Sequence, residues 1–169
     1  QEIRIKRGLS YGANSRLSAM RTTGLFRAAA QTKNESAPQV LDLIVAELSR
    51  LAQTPASAEE LKARKSVLIG SFGRELATTD GLAGILGSLA LYDLPLTEVG
   101  AYTGKVEAVT AGQVQAFAKQ NLDPAKASVI VAGDAKAFQA ELKTRRPDLE
   151  VVPVSELDLD SVTLKKAVK

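Results

Sequence analysis

Histidine and cysteine are both missing from the 169 residues, and the two absences remove different chemistries. Without cysteine the chain can make no disulfide, no thiolate nucleophile and no cysteine-ligated metal centre, although this leaves the compartment open. Without histidine there is no Ser-His-Asp relay, no imidazole general base and no histidine-ligated zinc. Any catalysis by this chain alone would have to run through carboxylates, lysine or tyrosine. Tryptophan is also absent and aromatic residues make up only 4%, so the core has to be built from aliphatic side chains and alanine. The same shortage argues against single-stranded nucleic acid, whose bases need stacking platforms. No apolar run reaches the length that spans a bilayer, and no basic-then-apolar leader opens the chain. The first residues are Gln1-Glu2-Ile3 rather than Met, so the expectation is a piece cut from a longer protein, without membrane insertion.

What is present fits a soluble globular domain, with 45% hydrophobic and 24% charged residues. The length suits one domain, residues 1–169, able to bury a sizeable core. The net charge of +3, from 22 basic and 19 acidic residues, is too small to imply nucleic acid. Its distribution is uneven. Residues 1–33 hold Arg4, Lys6, Arg7, Arg16, Arg21, Arg27 and Lys33 against the single acid Glu2. Such a basic edge is most often solvated surface, and it can also attract an acidic ligand.

The stretch Arg4-Ile5-Lys6-Arg7-Gly8-Leu9-Ser10-Tyr11-Gly12 reads as a helix end, a glycine stop and the start of a strand. Gly8 suits the left-handed conformation that terminates helices, and the basic cluster before it suits the negative end of the helix dipole. Leu9, Tyr11 and Ala13 then alternate with Ser10, Gly12 and Asn14, the period of a half-buried strand. A guanidinium from Arg4 and a phenol from Tyr11 could therefore converge on one carbonyl oxygen. The plainer alternative is a solvated basic turn followed by a core tyrosine.

Further along, a polar turn over 18–23 leads to a second strand from Gly24 to Thr32, giving an antiparallel hairpin. The middle is helical. Ser36 with Gln39, Ser57 with Glu60 and Thr110 with Gln113 have the spacing of capping boxes. Thr79-Asp80-Gly81 restarts a short apolar helix, Asp93-Leu94-Pro95-Leu96 is a loop, and a helix follows over 97–106. Lys62, Arg64, Lys65 and Arg74 read as solvating charge on one helix. The apolar run over 127–134, ending in Gly133-Asp134, predicts a strand buried in a sheet, followed by a helix near 136–143 and a strand near 150–154. The phosphate-binding glycine patterns are missing at Gly133-Asp134. The expected fold class is α+β, a largely antiparallel sheet with helices packed on one face.

Several of these segments together resemble one family. The segment Arg4…Gly8-Leu9-Ser10-Tyr11-Gly12 is similar to the R-x-x-x-G-L-x-Y segment in the non-catalytic half of the pitrilysin/insulinase zinc peptidases and mitochondrial processing peptidases. Ser57-Ala58-Glu59-Glu60-Leu61-Lys62-Ala63-Arg64-Lys65 resembles the family's helix start. Leu94-Pro95-Leu96, Ala108-Val109-Thr110 and the run into Gly133-Asp134 continue the likeness in order, over most of residues 1–138. The catalytic half of that family carries H-x-x-E-H, an inverted zinc motif, which a chain without histidine lacks.

The resemblance implies a LuxS-like α/β roll, the metallopeptidase half, with its first strand and helix missing from the sequence given. It implies a clamshell of two halves around an unfolded peptide, with zinc and the general base in a partner H-x-x-E-H subunit or domain and no cofactor in this chain. Arg4 and Tyr11 would be the substrate-binding residues, donating hydrogen bonds to a carbonyl that gains negative charge. No catalytic residue and no metal ligand is expected here, and the periplasm is the expected compartment. Two alternatives stay open: a structural homologue with no proteolytic role, and a free-standing ligand-binding α+β domain.

Overall fold

The computed structural model of the chain describes Ile3, residues 7–164 and Lys166. Two strands and six α-helices follow one another: β1 (Ser10–Ala19), β2 (Gly24–Thr32), α1 (Ala37–Gln53), α2 (Ala58–Leu76), α3 (Thr79–Leu91), α4 (Thr97–Ala108), α5 (Ala111–Asn121) and α6 (Gln139–Arg145). β1 and β2 pair as a two-stranded sheet, and the Met20 N–H donates to the Thr23 carbonyl at 2.9 Å to close the hairpin. The expected turn over 18–23 is thus two residues shorter than the sequence suggests. The α+β class holds.

The chain divides into two compact units. The first takes Gln1–Ala13, Ala30–Asp42 and Val129–Lys169. Its core is small: Ala37, Phe138 and Leu142 are buried, and Leu41, Ala135 and Leu149 pack against them. Leu142 is only 2% exposed, because the one-turn 3-10 segment Ala135–Ala137 and α6 fold back against each other. That return needs Gly133. A Cβ there would lie 2.5 Å from Asn34 Oδ1, the same oxygen that accepts the Asp134 N–H at 3.3 Å. Arg145 of α6 donates through Nε to both Asp42 carboxylate oxygens, at 2.8 and 2.9 Å, and through Nη2 to Glu141 at 2.9 Å. The side-chain hydrogen bond to Asp42 is the main cause holding the guanidinium pKa above its ordinary value.

The second unit takes Asn14–Ala29 and Leu43–Ser128. Here α2 packs on α3 and α4, with Phe72 and Tyr102 stacked at 4.1 Å between ring centroids. Two of the expected capping boxes form. Ser57 accepts from the Glu60 N–H while Glu60 reaches back to the Ser57 N–H, and Thr110 and Gln113 do the same. Thr78 caps α3 by accepting from the Gly81 N–H. α2, α3 and α4 nevertheless contain no buried residue.

Three helices in this unit end against a side chain from elsewhere. Arg21 Nη2 donates to the Leu91 carbonyl, the last of α3, at 2.6 Å, while Nη1 pairs with Asp93 at 2.8 Å. Lys65 Nζ donates to the Glu107 carbonyl near the end of α4 at 2.7 Å. Gln115 Nε2 donates to the Gln53 carbonyl that ends α1 at 3.0 Å. Orphan carbonyls at a helix C-terminus carry partial negative charge, so donors and cations are favourable there. Lys65, which reads in the sequence as a solvating charge, thus also ties two helices.

Three expectations fail. Ser36 and Gln39 make no capping box; a 3-10 turn over Asn34–Ser36 runs straight into α1 instead. The run over 127–134 forms no strand. Its apolar continuity predicts burial, but Ile130 is 92% exposed, and a strand exists only where a neighbour pairs with it. The segment near 150–154 forms no strand either. Pro153 lacks an N–H for a ladder, and the chain passes from it into the 3-10 turn Val154–Glu156.

Candidate functional site

The first unit presents Tyr11 from an anchored strand start. Gly8 adopts φ +61°, the left-handed conformation expected of a glycine stop and costly for a side chain with a Cβ. Beyond it the chain reverses, and the Leu9 N–H donates to the Ile3 carbonyl at 2.9 Å. The Leu9 carbonyl is held as well, accepting from Thr32 Oγ1 of β2 at 2.6 Å. Both backbone polar groups of the residue that enters β1 are therefore fixed.

The next residue points inward. Ser10 is 7% exposed, and its hydroxyl accepts from the Gly12 N–H at 3.1 Å and donates to the Gly12 carbonyl at 2.6 Å. Because side chains alternate across a strand, burying Ser10 turns Tyr11 outward, where it is 90% exposed. The core-tyrosine alternative is thereby removed. A phenol carries a directional O–H that can donate or accept. Arg4, the other expected site residue, lies outside the described residues.

Ser10 and Thr32 are the residues that sequence reasoning passed over. Their signal was available only in part: both are small hydroxyl residues at the ends of strands that pair, while the apolar alternation of Leu9, Tyr11 and Ala13 sets Ser10 on the other register. Among the described residues no cluster of Asp and Glu has the arrangement to hold a metal ion. In the second unit a shallow groove is lined by Ala52, Gln53, Gly112, Gln115, Ala116 and Lys119. Its single ionisable side chain, Lys119, offers no acid–base pair.

Comparison with known proteins supports the resemblance drawn from the sequence. Residues 1–68 match the family model of the peptidase M16 inactive domain. A crystal structure of a peptidase M16 inactive domain from Pseudomonas fluorescens is similar at 30% sequence identity and a TM-score of 0.65, over 73% of this chain. The chain spans 30% of the length of that protein chain. No curated protein matches in sequence.

Proposed function

The chain belongs to the peptidase M16 inactive-domain family, and from that premise we propose that it is the non-catalytic half of a two-half zinc endopeptidase. In this reading it closes on an H-x-x-E-H half around an unfolded peptide. Zinc and the general base belong to that other half, where the metal supplies a bound water of lowered pKa. This chain contributes hydrogen-bond donors at the carbonyl under attack. The observation that carries the proposal is the 90% exposure of Tyr11 on a start of β1 fixed at Leu9 and Ser10, inside the segment matched to the inactive domain.

The chemistry follows from charge development. As water adds to a peptide carbonyl, its oxygen gains negative charge, and a donor already aimed at that position is worth more in the transition state than in the ground state. The backbone that carries this phenol is held at Leu9, so on engaging only its side chain has to be ordered. Arg4 adds a charged donor at the same oxygen in this proposal. A single donor of this kind is worth about 2.7–4 kcal/mol of transition-state stabilisation. The periplasm is the compartment proposed for the assembled peptidase, on the family resemblance.

The test uses the purified chain with its H-x-x-E-H partner. The chain alone is expected to hydrolyse no peptide and to bind no stoichiometric zinc, and the two together are expected to be active. Tyr11→Phe and Arg4→Ala are expected to lower turnover while co-elution of the two halves is unchanged. Unaltered turnover in both variants would remove the site assignment, and zinc-dependent hydrolysis by the chain alone would remove the proposal.

A further inference from the structure

The hairpin stops pairing beside Tyr11. β1 begins at Ser10 and β2 ends at Thr32, and in an antiparallel pair those two ends lie together. Past Thr32 the chain leaves the sheet. Lys33 takes φ −66° and ψ 149°, and the Ser36 N–H donates to the Lys33 carbonyl at 3.0 Å around the 3-10 turn Asn34–Ser36. The end of a ladder is where local opening costs least. Tyr11 is the second residue of β1, so the aim of its ring depends on what holds that end.

Two hydroxyls hold it. Thr32 Oγ1 donates to the Leu9 carbonyl at 2.6 Å, so a side chain carries the pairing one step past the ladder. A β-branched residue suits this task, because its restricted χ1 presents the donor at small entropic cost. On the other side of Tyr11, the buried Ser10 hydroxyl accepts from the Gly12 N–H at 3.1 Å and donates to the Gly12 carbonyl at 2.6 Å. Leu9 and Gly12, which bracket Ser10 and Tyr11, are thus both fastened by side chains. Fastening of this kind matters little to a phenol that only meets water. It matters to a donor aimed at a reacting oxygen, where a 1 Å misplacement can cost about a hundredfold in rate. We propose that Thr32 is a positioning residue for Tyr11, with Ser10 as its counterpart: the two hydroxyls keep the start of β1 where the phenol meets the carbonyl oxygen as charge develops on it. The inference rests on the reading of Tyr11 as a donor to the substrate carbonyl.

The experiment is steady-state peptide hydrolysis by the two assembled halves, with kcat and KM read separately. Thr32→Val and Thr32→Ser are each compared with the parent, in the wild-type and in the Tyr11→Phe background. Valine keeps the branched shape and removes the hydroxyl. It is expected to lower kcat about tenfold and to leave KM within about twofold, since a displaced donor is missed mainly in the transition state. Thr32→Ser keeps the donor and is expected to recover most of that loss. With Tyr11→Phe there is no phenolic donor left to aim, so Thr32→Val is then expected to change kcat by less than about twofold. Ser10→Ala is expected to follow the same pattern from the other side of Tyr11, with co-elution of the halves unchanged. A parent-like kcat in Thr32→Val would overturn the proposal. So would a loss that serine does not recover, or an equal loss with and without the phenol, which is what a merely structural role gives. Tyr11→Phe alone judges the peptidase reading. If it loses turnover and Thr32→Val does not, the positioning role falls and that reading stands; if Tyr11→Phe turns over like the parent, both fall.

Discussion

The two compact units are held by different means. The first has a small apolar core, in which Ala37, Phe138 and Leu142 are buried among packed neighbours. Of the buried residues described, only Ala118 lies in the second unit. That unit is held at the ends of its helices, through the capping boxes of α2 and α5 and the ties from Arg21, Lys65 and Gln115 to helix-end carbonyls. Its helices keep apolar side chains at the surface, Val67 and Leu68 on α2 and Leu82 and Leu86 on α3. The contrast separates two kinds of stabilisation. Burying apolar surface gives energy without direction, whereas a hydrogen bond to a helix end contributes less and fixes geometry.

The sharpest break of this comparison is a pair of leucines. Leu142→Ala is expected to cost about 2–5 kcal/mol, because it removes a buried side chain and leaves a cavity. Leu86→Ala, at a site already 37% exposed, is expected to cost under about 1.5 kcal/mol, since less area returns to water. Urea unfolding of both variants measures the difference, and equal losses would erase the distinction between the units. Next in size, Ser57→Ala and Thr110→Ala each remove a helix cap and should cost about 1 kcal/mol. Of similar size are the helix-end ties. Arg21→Met, Lys65→Met and Gln115→Ala should each cost about 0.5–1.5 kcal/mol. Salt sharpens this last set, because screening should shrink the losses at Arg21 and Lys65 and leave that at Gln115 unchanged.

The sequence made legible whatever is local. Ser57 with Glu60 and Thr110 with Gln113 are three residues apart, so residue type and spacing suffice to announce the box. The hairpin showed through its alternation, and Gly8 through its place after a run of basic residues. Ser36 with Gln39 had the same spacing as the other pairs, yet a 3-10 turn occupies that helix start; spacing permits a box without enforcing one. What depends on distant partners stayed hidden. Arg21 and Leu91 are 70 residues apart and Lys65 and Glu107 are 42 apart, and no periodicity links such pairs. The run at 127–134 failed for the related reason that propensity belongs to one segment and pairing to two. At the candidate site the period-2 alternation was readable, but the side that faces inward was not, since Ser10 of the polar register is buried and Tyr11 is exposed.

The central claim is that Tyr11 serves a reaction centre built by another half. The most direct measurement is kcat for peptide hydrolysis by the assembled pair of halves, with wild-type chain and with Tyr11→Phe. Loss of one preorganised donor should lower kcat by about a hundredfold or more, with assembly intact. An unchanged kcat in a fully assembled Tyr11→Phe pair would contradict the account.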